Sequence, residues 1–355
     1  MGNNITGLAA TRHNANSASA ISVLMPVHNA GAYLQSAVDS ILAQQHVTLE
    51  LIIIDDHSSD AAISNLRSDP RIVLTSNKQP GIVGALNHGI TLARFPLIAR
   101  MDGDDVAHPE RLKRQLDYYS ANPTIDIVGA KVQIFKTDES LGAGFSHYQN
   151  WVNAQQNHAQ ISEHFFVECC IPHPTFFMST ALARFLKGYS DTAWPEDYDF
   201  IAKAFIQGAK FGKPEQPPLL WWRDHDTRLS RTSNAYNRDA FLRCKAFYLA
   251  QYLSQLNVHE VVIWGAGPTG LKLHDYLEEQ QVAVKAFYDI NPKLEGREKR
   301  FKPVRLFKIP QDIDLIERIS DFVLIAISAR GAAAEMEALF KQQGRIPNQD
   351  YLRVS

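Results

Sequence analysis

The sequence predicts an α/β protein of two domains, and three observations carry that reading. Short, almost wholly apolar β-rich runs alternate with stretches of helical spacing; those runs end in polar or acidic residues; and a second strand, glycine turn and helix pattern restarts after residue 258. At 355 residues the chain exceeds one typical domain and suits two, each with its own core. The expected layout is a disordered lead over 1–19, rich in Asn, Ala, Ser and Thr, then a first domain over 20–235. A linking helix over 236–257 and a Rossmann-like domain over 258–355 follow.

Composition narrows the function classes. With 36 basic against 38 acidic side chains, no global charge signal points to nucleic acid. No apolar run approaches the roughly 20 residues that span a bilayer, which argues against an integral membrane protein. The cysteines, Cys169, Cys170 and Cys244, form neither a disulfide framework nor a CxxC metal pattern. That usage fits a reducing cytoplasm, in solution or at the inner face of a membrane.

Along the chain, Ile21 to Asn29 is a β-rich run closed by Pro26, and residues 32–45 carry helical spacing through Leu34, Val38, Ile41 and Leu42. Leu49-Glu50-Leu51-Ile52-Ile53-Ile54 is a nearly continuous apolar strand ending in Asp55-Asp56, as a parallel sheet covered on both faces requires. A strand at 71–74 precedes a helix at 81–93. The next strand ends in Arg100-Met101-Asp102-Gly103-Asp104-Asp105.

Carboxylates crowded this closely repel one another, so a cation is one reason to keep them together, with the glycine allowing a sharp turn. An acidic turn leading to the helix near Pro109 is the other reading. An EF-hand is excluded, because loop positions six and twelve would be Ala107 and Lys113. Three strands ending in polar groups at one sheet edge together favour a binding cleft.

Val23 to Asn29, Ile54 to Asp60, Ala85 to Ile90 and Arg100 to Asp105 resemble, in order and spacing, the motifs of family 2 glycosyltransferases of GT-A fold, over about residues 21–233. His28 departs from the residue types more usual there. The resemblance implies a nucleotide-diphospho-sugar donor and a Mg²⁺ or Mn²⁺ ion held by Asp104, with Asp102 on the metal or ribose and His225 as third ligand. Pro26, Val27, His28, Asn29, Gly81 and Asn87 would line the nucleotide pocket, and Asp55 or Asp56 would bind the base. Asp105 would cap the following helix.

By the same resemblance, Trp194-Pro195-Glu196-Asp197 opens a helix with the acceptor base at Asp197 and Glu196 as its orienting neighbour. The segment from Trp221 to Ser230 would close over the diphosphate, with Arg223 and Arg228 as phosphate contacts. His173, in the short run His173-Pro174-Thr175, reads either as part of an acceptor-side motif or as a structural histidine bonded to backbone, the reading favoured here.

In the second domain, Gly265, Gly267 and Gly270 form a GxGxxG turn, with Asp289 at the distance where a dinucleotide fold places its acidic residue. The module is short for a complete dinucleotide domain and resembles the small domain in front of bacterial sugar acyltransferases. NAD is therefore not expected; a structural, oligomerising or regulatory role is. The basic run 295–302 reads as a solvated loop, although a lipid-linked acceptor would give a basic surface a use at the membrane.

The expected function is inverting transfer from a UDP-sugar to a saccharide or lipid-linked saccharide, in bacterial cell-surface polysaccharide synthesis. The rivals are a bifunctional chain whose second domain binds NAD(P), and a non-catalytic nucleotide-sugar binder. Which sugar is moved is not encoded in the motifs.

Overall fold

A computed structural model describes residues 20–136, 142–215, 217–307, 316, 319–329 and 331–355; the lead over 1–19 lies outside them. The chain divides into two compact units. The first comprises the described residues up to Ile161 together with Cys170–Tyr236, and the second comprises Ser162–Cys169 and Asn237–Ser355.

In the first unit, β1 (Ala20–Val27), β2 (Thr48–Asp55), β3 (Ile72–Ser76) and β4 (Leu97–Arg100) pair in parallel in the order β3-β2-β1-β4. The helices Leu34–Leu42 and Ile82–Leu92 connect them. Leu51, Ile52, Ile53 and Ile54 of β2 are all fully buried, so both sheet faces are covered, which is why this strand reads as an unbroken apolar run. Two small strands follow, β5 (Val106–Ala107) and β6 (Ile127–Val128), with the helix Arg111–Ala121 between them, and then β7 (Val132–Phe135).

The strand β8 (Phe177–Ser179) pairs antiparallel with both β4 and β6, and β9 (Phe211–Gly212) pairs parallel with β6. The large sheet is thus mixed rather than wholly parallel. Two of the three connections among its first four strands are helical crossovers, and its remaining strands are two or three residues long. A second sheet, β5-β10-β7, is closed by β10 (Leu220–Arg223), which carries the segment after it back to the acidic loop behind β4.

In the second unit, the helix Arg238–Gln255, expected as a link, packs with the domain that follows it. The strands β11 (Glu260–Trp264), β12 (Ala283–Asp289), β13 (Glu298–Lys299), β14 (Lys302–Leu306), β15 (Phe322–Ile325) and β16 (Tyr351–Arg353) form one sheet ordered β13-β14-β12-β11-β15-β16. It is parallel except at the β13–β14 hairpin. Its core centres on Trp264, Phe307, Phe340 and Tyr351. All three cysteines are buried, and none of them forms a disulfide.

Candidate active site

The carboxyl ends of β1, β2 and β4 lie side by side, and the loops after them are tied to one another. Asn29 adopts a left-handed backbone (φ 50°), and its Oδ1 accepts hydrogen bonds from the Ser59 and Asp60 amides at 2.7 and 3.3 Å. His28 Nδ1 lies 2.7 Å from the Asp56 carbonyl and its Nε2 3.1 Å from Asn29 Nδ2. Asp55 accepts from the Ser58 amide at 2.9 Å. Asp56 accepts from Asn77 Nδ2 at 2.7 Å and from the Gly81 amide at 2.9 Å, at a φ of 102° that suits glycine.

Asn87 is tied to the backbone of Tyr189. Its Oδ1 accepts from the Tyr189 amide at 2.8 Å and its Nδ2 donates to the Tyr189 carbonyl at 2.9 Å. Both ends of the amide are thereby engaged, and Asn87 anchors the loop before Glu196.

The acidic loop after β4 brings Asp102, Asp104 and Asp105 together, with one oxygen of each within 4.8 Å of the others. Gly103 does not adopt a left-handed backbone; what it supplies is room, since a Cβ there would lie 3.3 Å from Val27 Cγ2 and 3.5 Å from both Ala30 and Leu34. Asp102 pairs with Arg100 Nη2 at 2.5 Å. Asp104 Oδ2 meets His225 Nε2 at 2.7 Å. Burial pushes the Asp104 carboxyl up, but the His225 hydrogen bond and the positive charges of Arg228 and Arg100 hold it below the ordinary range.

Asp105 is not a helix cap: the helix at Arg111–Ala121 is preceded by Glu110, and Asp105 Oδ1 accepts from the Arg223 amide at 2.8 Å. Its Oδ2 is fully buried and has no hydrogen-bond partner. Burial first, then the charges of Asp104 and Asp102, raise its carboxyl well above normal.

The guanidinium of Arg223 lies between the rings of Tyr33 and Phe135, 4.2 and 4.6 Å from their centroids, and its Nε donates to the Asp104 carbonyl at 2.8 Å. It is 8% exposed. Arg223 therefore braces the acidic loop from behind, and its expected phosphate contact is not supported, because its charge is enclosed by aromatic faces. Arg228, by contrast, packs on Trp222, 4.6 Å from its ring centroid, and both are half-buried.

A second corner surrounds the start of the helix Glu196–Ile206, whose first turn holds Glu196, Asp197 and Asp199. The helix dipole favours anions there, but burial works against them. Asp197 accepts from the Tyr198 amide at 2.7 Å, and burial together with the charge of Glu196 raises its carboxyl to about 6. Glu196, also raised by burial, accepts from the Tyr236 hydroxyl, and its Oε1 lies 3.4 Å from His173 Nδ1.

His173 Nε2 is 2.9 Å from the Tyr189 hydroxyl, so its partners are side chains rather than the expected backbone. Burial and then Arg100 push it down to about 3, leaving it neutral at physiological pH. Arg100, Tyr189 and Tyr236 received no role from the sequence. The one legible signal was Arg100, a charge inside an otherwise apolar strand, while the two tyrosines carry no local pattern.

In the second unit, a Cβ on Gly265 would lie 2.6 Å from the Ala326 carbonyl oxygen, and one on Gly270 would lie 1.9 Å from that of Gly265, whereas Gly267 faces open space. Asp289 is not a free ribose acceptor: Oδ2 accepts from the Ala266 amide at 2.8 Å and Oδ1 from the Asn291 amide at 2.9 Å. Its carboxylate closes the glycine turn itself.

The first unit is a mixed α/β sheet of GT-A type fold whose acidic loops gather at its carboxyl edge, and a smaller Rossmann-like α/β unit follows it along the chain. Residues 22–183 match the family model described as Glycosyl transferase family 2. Among relatives, the bifunctional glycosyltransferase pgtA of Dictyostelium discoideum is 27% identical over 72% of this chain; the match spans only 37% of that protein's length. The O-antigen biosynthesis glycosyltransferase WbnJ of Escherichia coli is 25% identical over 67% of this chain and 91% of its own. The succinoglycan biosynthesis protein ExoO of Rhizobium meliloti is 35% identical over 33% of each. Among solved structures, S. aureus TarS 1-349 in complex with UDP superposes with a TM-score of 0.49 at 13% identity, over 91% of this chain and 88% of that one.

Proposed function

We propose that the chain is an inverting, metal-dependent glycosyltransferase that moves a sugar from a nucleotide-diphosphate donor, a UDP-sugar, to a hydroxyl of a saccharide or lipid-linked saccharide. The observation that carries this reading is the trio Asp102, Asp104 and Asp105 at the carboxyl edge of the sheet, with a fully buried Asp105 oxygen left without a partner. Such an oxygen-rich set beside a histidine suits Mg²⁺ or Mn²⁺, with Asp102, Asp104 and His225 as holders. When bound, the ion neutralises charge developing on the departing diphosphate.

The chain's own residues supply the rest. Asp197, with its carboxyl raised to about 6, is ionised at neutral pH yet basic enough to take the acceptor hydroxyl's proton as the sugar carbon is attacked from the face opposite the leaving group. Glu196, fastened by Tyr236 and next to His173, orients that corner. Asp55 is offered to the base, since Asp56 accepts from Gly81 and Asn77. Arg228 serves as the cation that meets phosphate, since Arg223 is enclosed by Tyr33 and Phe135. The names of the O-antigen and succinoglycan relatives support a saccharide acceptor in surface polysaccharide synthesis. For the second unit, the engagement of Asp289 favours a structural or oligomerising role over NAD binding.

The deciding experiment measures hydrolysis across a panel of nucleotide sugars with Mn²⁺, with Mg²⁺ and with chelator. Turnover of one donor that chelator abolishes and metal restores supports the reading; metal-independent turnover, or none across the panel, overturns it.

A further inference from the structure

The β13–β14 hairpin of the second unit carries a feature that its own folding does not need. Lys299 pairs with Lys302, so the loop is the two residues Arg300 and Phe301, with φ of 53° and 59°. Both central residues of such a turn take left-handed backbone, which is why asparagine and glycine usually occupy it. An aromatic side chain at that φ is strained and is ordinarily retained only where something repays it. Among the described residues nothing does, because Phe301 is 96% exposed, the most exposed of their large apolar side chains.

The surroundings indicate what covers it. Between Pro292 and Arg305 the chain carries six basic side chains, Lys293, Arg297, Lys299, Arg300, Lys302 and Arg305, against Glu295 and Glu298. From the neighbouring helix, Asp275 pairs with Arg300 at 2.7 Å and Glu278 lies 3.5 Å from Lys302, so part of that charge is balanced. Among the described residues, Lys293, Arg297 and Lys299 enter no ion pair. A single protruding ring ringed by cations is too small an apolar area for a stable protein interface, which buries several hundred Å² on each side. It matches a boundary where anionic headgroups meet acyl chains.

We propose that this hairpin docks on an anionic lipid surface, with Phe301 entering the headgroup–acyl boundary and the flanking lysines and arginines contacting the headgroups. Among the described residues no helix is long and apolar enough to cross a membrane, so the contact is peripheral.

The test is flotation of the full chain with vesicles of phosphatidylcholine alone and of phosphatidylcholine and phosphatidylglycerol in equal parts. Binding is expected only to the mixed vesicles, with release by added salt. Phe301→Ser should weaken it roughly tenfold, the loss expected for one buried aromatic side chain. Phe301→Gly should weaken it as much while leaving the thermal midpoint unchanged or higher, because glycine accepts this φ; a merely structural phenylalanine would instead lower the midpoint. Absence of binding to mixed vesicles, or binding by either variant as tight as that of the wild-type chain, overturns the proposal. So does self-association that Phe301→Ser removes without any vesicle binding, which would assign the tip to a second copy. No sugar donor enters the assay, so its failure leaves the proposed transferase activity standing.

Discussion

Replacing Asp197 with asparagine should remove activity and stabilise the fold at the same time. Burial and the adjacent Glu196 raise this carboxyl from 3.8 to about 6. A carboxyl whose folded pKa lies above its unfolded one binds more protons folded than unfolded. Stability is therefore highest below the unfolded value, declines as pH rises through about 6, and stays reduced above it. A shift of this size corresponds to about 3 kcal/mol at most, and the half-buried position of Asp197 trims it toward about 2 kcal/mol.

Asparagine keeps the acceptor oxygen for the Tyr198 amide without the charge. Near pH 7.5, Asp197→Asn should raise the unfolding midpoint of the first unit by roughly 4–8 °C, and the difference should vanish toward about pH 4. Turnover in the variant should fall by about a hundredfold or more, and wild-type kcat should decline as pH falls through about 6. A variant no more stable than wild type at neutral pH, or wild-type activity undiminished about two pH units lower, would refute the assignment.

Asp104→Ala should lower metal-stimulated donor hydrolysis by about a hundredfold and weaken Mn²⁺ binding measured by calorimetry; full activity would remove the acidic loop from the mechanism. His225→Ala, which deletes the 2.7 Å contact to Asp104, should weaken the metal by about tenfold without unfolding the chain. Gly270→Ala places a Cβ 1.9 Å from the Gly265 carbonyl oxygen and should destabilise the second unit by about 2–4 kcal/mol in denaturant unfolding. Gly267→Ala, facing open space, should stay within about 0.5 kcal/mol. A fluorescence titration of the full chain with NADH should show no binding, since Asp289 already accepts from Ala266 and Asn291.

Much of this was legible in the chain itself. The run Leu51 to Ile54 reads as a strand covered on both sides, and the recurrence of such runs announces a parallel sheet, while the order β3-β2-β1-β4 is visible only in the folded chain. The acidic groups at Asp55 and Asp102 to Asp105 were visible because each sits where an apolar strand stops, whereas Glu196-Asp197, at the start of a helix, was singled out by its resemblance to a family motif.

Other assignments rested on pairs far apart in sequence. Asp105 looked like a cap for the next helix because local spacing allows it; the backbone amide of Arg223, 118 residues later, is what it accepts from. Arg223 looked like a phosphate contact because its segment resembles a family signature, but Tyr33 and Phe135 enclose it. Asn87 sat in a motif of the donor side, and the backbone of Tyr189 engages it. Asp289 stood at the right count from the glycines, and the glycine turn uses it.

The sequence by itself determined the α/β class, the second unit and the residue types at the acidic loops, because periodicity and chain-local chemistry carry that information. Only the tertiary structure decided which carboxylates are open and which are already hydrogen-bonded, and how far burial shifts Asp197, Asp105 and His173. Those properties depend on what packs against a side chain from elsewhere in the chain, and no local spacing encodes a neighbour a hundred residues away.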